Sequence, residues 1–382
     1  MEPVVSLVRN LMLLSATLYR ITFAVMYKTC PGVAPRRSVR RISLLAMANG
    51  VERGPMILRG TPMYIVGKAS SSAYASMKSA SGTRFSPGAR ERGEQRRKGD
   101  VVQVSFPKSG THWMMFITQF ILRKGQLMTT CEQFDKEWRF LEYMDTNDFS
   151  SSLPLRLFAT HLALNKCTMT PEGKYIYIAR NPWDICVSFY HMVTNITTYE
   201  YLNGTFEDFV DTFVSGNFGY GDYFEHVAAG YALREEPNVF FVTYEELKRN
   251  TREVALRLAY FLGEHYGHAL EMDEALFQKL LERSQPEYMR NVAVFDATDI
   301  NNPQWNEVLS RRKITCREGH EGDENKYCYV RVGKVGTWKN YFTPHLLRKM
   351  ENRILEAEKQ SSFMDLWKDI REETIEVLKV AE

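Results

Sequence analysis

Three short runs in this chain leave no room for a wet face: VVQVSF at 101–106, KYIYIA at 174–179 and NVFFVTY at 238–244. A strand exposed on one side alternates apolar with polar residues; these do not, which predicts burial on both faces. Each run is followed by a helical pattern: over 111–123, over PWDICVSFYHMV at 182–193, and over EELKRNTREVALRLAYFLG at 245–263. Strands alternating with helices predict an α/β, three-layer fold with a central parallel β-sheet flanked by helices. In such sheets ligands bind beyond the carboxyl ends of the strands. The three runs meet that edge at Lys108, Arg180 and Tyr244, and a fourth, LRLFATHLAL at 155–164, brings His161 to it.

The 382 residues divide by charge. Residues 1–100 carry 17 Lys and Arg against 5 Asp and Glu, while the remainder carries 32 against 41. A basic leader therefore precedes a mildly acidic body, and a body with no basic surplus is not expected to bind nucleic acid. Residues 4–27 are the most apolar stretch, but Arg9 and Arg20 interrupt it short of bilayer-spanning length. The two arginines fall on nearly one face of a helix. The segment thus reads as a basic amphipathic helix of the kind that contacts membrane surfaces or directs organelle import, or equally as an inert extension. Three parts are expected: an extension over 1–68, a Ser/Gly/Arg-rich lead-in over 69–99, and one folded body over 100–382. The six cysteines show no metal-ligand spacing, so no metal is expected and a reduced, cytoplasmic protein is the default. Cys316 and Cys328 flank the polar loop CREGHEGDENKYC and can pair in an oxidising compartment.

The stretch SFPKSGTHW at 105–113 asks for an anion. A glycine-containing turn that enters a helix aims backbone N–H groups outward, and the helix dipole favours negative charge there. Lys108, Ser109, Gly110 and Thr111 would form such a P-loop-like nest, with His112 next to it and Trp113 placed to stack on a base. A capped surface turn with a core Trp is the plain alternative. In ARNPWDICVSFYH, Arg180 ends a strand and Ser188 lies two turns into the helix; they can share a phosphate, or serve as an ion-pair residue and a helix filler. In YVRVGKVGTWKNYF, Arg331, Gly333 and Gly336 make a basic loop or an ordinary hairpin. His161 at a strand end is a general base or a structural residue.

Taken together and in this order, the elements resemble the cytosolic sulfotransferase family. FPKSGTHW is similar to that family's 5′-phosphosulfate loop, usually YPKSGTTW; RNPWDICVSFYH is similar to its 3′-phosphate motif, and RVGKVGTWKNYF to its RKGxxGDWKNxF signature. The likeness runs over roughly residues 100 to 370. It implies transfer of a sulfuryl group from 3′-phosphoadenosine 5′-phosphosulfate (PAPS) to a hydroxyl or amine of a small acceptor, with no metal. Position by position it implies His161 as the base on the acceptor, Lys108 as the cation on the leaving 5′-phosphate, and Ser188 as a 3′-phosphate contact that also positions Lys108. Ser109, Gly110, Thr111 and His112 are implied in the phosphosulfate loop, Arg180, Arg331 and Gly333 at the 3′-phosphate, Trp113 and Tyr244 at adenine, and Ser284 at the nucleotide. Phe106, Phe140, Phe189 and Met192 are expected to line an apolar pocket for phenols, steroids or aryl amines, with core packing as the alternative for each.

The chain departs from the family pattern at five site positions. Ala159 replaces the Lys of a KTH triplet, Val332 the Lys of RKG, Thr337 the Asp of GDW, Pro286 an adenine-stacking aromatic, and His112 a Thr. The dimer segment KxxxTVxxxE reads KNYFTPHLLR, where Pro344 and Arg348 do not fit, so the dimer stays open. Ala159 and Val332 also leave room for a catalytically weak nucleotide- or sulfated-ligand-binding module. A membrane-anchored sulfotransferase is disfavoured by Arg9 and Arg20, and a kinase-like phosphotransferase by the lack of a Walker A loop.

Overall fold

The computed structural model describes residues 57–58, 61–62, 99–142, 149–216, 220–298 and 314–381. The helix expected over 4–27 and the lead-in over 69–98 lie outside the described residues. Ile57–Leu58 (β1) and Thr61–Pro62 (β2) pair as a two-residue antiparallel ladder.

Val101–Ser105 (β3) is buried at every residue and turns through 106–110 into Thr111–Leu122 (α1). Cys131–Asp135 (α2) follows, then the strands Trp138–Phe140 (β4), Leu157–Thr160 (β5) and Lys174–Ala179 (β6). Pro182–Val193 (α3), Phe206–Val214 (α4) and Tyr223–Ala232 (α5) lead to Val239–Thr243 (β7). Across the sheet the order is β4-β5-β3-β6-β7, and every pair is parallel. Strands β4 and β5 lie on one side of β3, and β6 and β7 on the other. The carboxyl end of β3 is therefore the switch point at which a crevice opens.

The layers follow from strand alternation. Along β6, Tyr175, Tyr177 and Ala179 enter one core with Trp183 and Phe189, while Ile176 and Ile178 enter the other with Met114 and Leu258. The second half supplies Tyr244–Arg249 (α6), Thr251–Leu262 (α7), Glu264–Met272 (α8), Glu274–Arg283 (α9) and Pro286–Val292 (α10). A ribbon of Val294–Asp296 (β8) and Lys326–Cys328 (β9) precedes Pro344–Glu358 (α11) and Lys368–Val380 (α12). Helices α3, α4, α5 and α11 cover the first core, and α1 with α6–α10 the second. The expected three-layer arrangement is the one found.

Three local expectations change. The helix expected over 245–263 is two, because Asn250 leaves helical backbone (φ −140°, ψ 61°); asparagine trades helix interiors for end positions. Its start also moves back to Tyr244, since the Thr243 hydroxyl accepts from Glu246 N at 3.0 Å and caps the first turn. Pro344 proves to be a helix start: it occupies the first turn of α11 behind the Thr343 cap. Cys316 and Cys328 are both free thiols. Among the described residues, no helix is long and apolar enough to cross a membrane.

Gly230 sets the seat of α5 on the sheet. A Cβ there would lie 2.3 Å from the ring of the fully buried Tyr177, whose hydroxyl donates to the His226 carbonyl at 2.9 Å. Gly230→Ala is expected to lower unfolding free energy by about 1–3 kcal/mol, the usual cost of overpacking. Urea denaturation checks this; an unchanged midpoint would mean that α5 slides without cost.

Candidate active site

The turn between β3 and α1 holds two residues in left-handed backbone. Lys108 takes a left-handed backbone (φ 70°), uncommon for a residue with a side chain. Gly110 follows at φ 108°, where a Cβ would also lie 2.9 Å from Tyr244 Cδ2. Gly110 caps α1 without any side-chain hydrogen bond, so the N–H groups of its first turn stay open. Ser109 Oγ and Trp113 Nε1 are buried there without a protein partner. The Thr111 hydroxyl pairs with Ser105 Oγ at 2.8 Å, stitching the helix start back onto β3.

Arg180 leaves β6 and is nearly buried. Its guanidinium stacks over the Tyr244 ring at 4.3 Å, donates to the carbonyls of Lys108 (3.3 Å) and Lys334 (3.1 Å), and lies 4.0 Å from Asp184. Asp184 in turn accepts from Gly336 N, Thr337 Oγ1 and Trp338 N, which ties the 331–338 loop to the start of α3. Glu245 accepts from Asn181 and Trp367, and burial pushes its carboxyl upward. Arg331 is half-buried; burial lowers its proton affinity, and the Arg180 charge adds to that. The Nε atoms of Arg180 and Arg331 have no protein partner. Trp113 meets Tyr244 edge-on at 5.3 Å with Lys248 over its other ring face at 5.6 Å. Gly333 (φ 71°) sits on Pro286, where a Cβ would be 2.7 Å from the proline ring. Ser284, buried at the end of α9, donates back to Leu281 O at 3.2 Å and so spends its hydroxyl on the helix.

His161 stands after β5 with Nδ1 2.7 Å from Ser105 O. A carbonyl can only accept, so Nδ1 carries the proton and Nε2 keeps its lone pair. Burial, reinforced by the Lys108 charge, holds this imidazole near a pKa of about 4, neutral at physiological pH. Glu142 accepts from the His161 backbone N–H and from Thr160 Oγ1, and burial raises its carboxyl to about 7. Phe140 and Tyr220 stand edge-on to the imidazole at 4.8 and 5.5 Å.

Lys108 Nζ donates to Tyr329 O at 3.4 Å and lies 5.4 and 5.5 Å over the rings of Tyr327 and Tyr329. Burial and then the Arg180 charge lower its pKa to about 7. The expected positioning of Lys108 by Ser188 is not seen. The ammonium reaches the Tyr329 carbonyl instead, and Ser188 stands half-buried in α3. Of the four expected acceptor residues, Phe140 touches the His161 ring, and Phe189 lies 5.9 Å from Tyr220. Phe106 belongs to the core, edge-on to Phe213, Tyr223 and His226, because the chain turns its side chain inward before the loop. Met192 is buried in the same core.

Glu142, Tyr220, Tyr327, Tyr329 and Asp184 were not foreseen. Glu142 follows a strand end, as Lys108 and Arg180 do, and that rule would have reached it had the three-residue β4 stood out. Three cations thus converge beside orphaned polar atoms, opposite a neutral imidazole with a bare nitrogen. Such an arrangement suits a ligand bearing several negative charges.

Known proteins were compared with this chain. The sulfotransferase domain family model matches residues 98–362. Mouse sulfotransferase 1B1 is 29% identical over 261 residues, covering 65% of this chain and 79% of its own length. Rabbit amine sulfotransferase is 28% identical over 283 residues, 72% and 86% of the two chains. The crystal structure of mouse sulfotransferase SULT7A1 complexed with PAP superposes with a TM-score of 0.54 at 24% identity, covering 78% of this chain and 96% of that one. By the family match over most of its length, the chain belongs to the sulfotransferase family.

Proposed function

We propose that the protein transfers the sulfuryl group of PAPS to a hydroxyl or amine of a small, largely apolar acceptor, with His161 as the base. The observation that carries this reading is the pairing of a cation cluster (Lys108, Arg180, Arg331) with a tautomer-fixed neutral imidazole across one crevice. PAPS supplies the activated sulfuryl group and two phosphates, which suit the two halves of the cation cluster. Lys108 and the open N–H groups of α1 hold the 5′-phosphosulfate. Arg180, Arg331 and Ser188 hold the 3′-phosphate, and Trp113 with Tyr244 brackets the base. His161 Nε2 takes the acceptor proton, and the Lys108 ammonium meets the charge that develops on the leaving phosphate oxygen. Positioning and charge neutralisation do the work, with no covalent enzyme intermediate. Phe140, Tyr220 and Phe189 around the imidazole suit a flat, apolar acceptor such as a phenol, steroid or aryl amine.

His161→Ala is expected to abolish turnover and leave binding of adenosine 3′,5′-bisphosphate intact. Product assays and nucleotide titration on one preparation check both parts; turnover near wild type would remove His161 from the mechanism.

The free enzyme is expected to show a bell-shaped pH profile of kcat/KM. Activity rises through about pH 4 as His161 loses its proton, and falls above about pH 7 as Lys108 loses its charge. In the kcat profile the upper limb should move to higher pH, because bound phosphate favours charged Lys108. Glu142 titrates in the same upper range, also at about 7. The assignment therefore requires the limb to persist in Glu142→Gln and to shift upward in Lys108→Arg; loss in the glutamine variant would reassign it.

For residues 1–68 we propose a leader that brings an otherwise cytoplasmic body to a membrane surface or an organelle. A reporter fused behind residues 1–60 should leave the diffuse pool, and deletion of 1–60 should leave nucleotide binding unchanged. A diffuse reporter would make the segment an inert extension.

A further inference from the structure

Between the cation on the leaving phosphate and the base on the acceptor, the group in flight carries its own non-bridging oxygens. On the sulfotransferase reading given above, those oxygens need a donor. His112 occupies the second position of α1, directly after the phosphosulfate turn. Its ring lies flat on Tyr329, centroids 3.8 Å apart at 16°, and Tyr329 is the residue whose carbonyl receives Lys108 Nζ. On the other side Trp138 meets the His112 ring edge-on at 6.0 Å. Trp138 touches Phe140 at 5.9 Å, and Phe140 touches the His161 ring. The imidazole is thus one aromatic neighbour from Lys108 and two from His161. Neither ring nitrogen hydrogen-bonds another described residue, although the ring is held by stacking.

We propose that His112 is a catalytic residue, whose ring N–H donates to a non-bridging oxygen of the sulfuryl group as it passes to the acceptor. The bond between sulfur and the 5′-phosphate oxygen breaks while the bond to the acceptor oxygen or nitrogen forms. The leaving oxygen keeps the electron pair beside Lys108, the acceptor proton goes to His161 Nε2, and His112 retains its own proton throughout. Burial, then the charge of Lys108 and the nearness of His161, hold the His112 pKa near 3, so the ring is neutral with one donor and one bare nitrogen. A neutral donor suits this place. A further cation would lower the proton affinity of Lys108 again, whereas an imidazole N–H does not. Strand β5 offers no alternative donor two residues before His161, where Ala159 is fully buried opposite Phe140.

The test compares His112→Phe, which keeps the stack on Tyr329, with His112→Asn, which keeps an N–H. His112→Phe should bind adenosine 3′,5′-bisphosphate within about twofold of wild type, since that nucleotide has no sulfuryl group, yet lose on the order of 100-fold in kcat. His112→Asn should recover about tenfold of that loss. On wild-type protein alone, the ¹⁵N–¹H resonance of the His112 ring should move downfield with PAPS and not with the bisphosphate. A kcat of His112→Phe within about threefold of wild type would sink the proposal, as would an equal ring shift with both nucleotides. A tenfold or greater loss of bisphosphate affinity would also overturn it, by placing the ring in the nucleotide site rather than on the moving group. Should the Phe variant fail to fold, the Asn variant and the wild-type resonance still decide. A wild-type chain that binds the bisphosphate but sulfates no acceptor overturns the broader reading instead, and the ring shift distinguishes the two failures.

Discussion

Everything at the crevice depends on one buried carboxylate. Asp184 is fully enclosed, yet it accepts from Asn181 Nδ2 at 3.0 Å, Gly336 N at 2.8 Å, Thr337 Oγ1 at 3.0 Å and Trp338 N at 3.1 Å, with the Arg180 guanidinium at 4.0 Å. A buried charge with fewer donors would cost several kcal/mol. Here its lone pairs are used, and the donors come from segments about 150 residues apart in sequence. The carboxylate thereby locks the basic loop that carries Arg331 onto the helix that carries Ser188. Thr337, in place of the family's aspartate, joins the lock as a donor.

That lock forces like charges together. Arg180, Arg331 and Lys108 share a buried space; burial first, and the Arg180 charge beside it, make Lys108 and Arg331 hold their protons less firmly than usual. An anionic ligand would offset the like charges gathered there. The left-handed backbone at Lys108 belongs to the same account: local strain persists where the surrounding structure over-determines it. A Cβ at Gly110 would meet both Tyr244 and Ile178, so the turn favours glycine there on space as well as on φ.

What the sequence disclosed was where the chain reaches the rim of the sheet. Lys108, Arg180 and His161 could be found because uninterrupted apolar runs place strand ends with little ambiguity, and sheet topology then gathers those ends. Side-chain direction was not legible. The hydroxyls of Thr111 and Ser284 turn to their own neighbourhoods, and Phe106 points into the core, though the family resemblance put the first two at the nucleotide and Phe106 was expected at the acceptor, with core packing as its alternative. The wall formed by Tyr327 and Tyr329 was hidden for another reason. It belongs to a short ribbon after a polar loop, DENKYC, whose local pattern carries no signal, and only tertiary packing brings its rings over Lys108. Asn250, by contrast, could have been read as a helix end, since an asparagine before Thr-Arg-Glu is a better cap than interior residue.

The three imidazoles around the crevice explain why its departures from the family can coexist with chemistry. His161, His112 and His191 are all held near or below a pKa of about 4, by burial first, with Lys108 opposing protonation of each. Neutrality serves each one differently. For His161 it leaves Nε2 with a free lone pair, as the proposed role of base requires; His191 pairs a ring nitrogen with the Tyr341 hydroxyl at 2.7 Å. It also limits the positive charge that Lys108 must withstand. With Lys108 already near 7, a lysine in place of Ala159 would press its proton affinity lower and leave less of it charged for the role proposed above. Alanine at 159 and valine at 332 can be understood on the same terms: fewer cations, each more fully charged, around a site that keeps its imidazoles neutral.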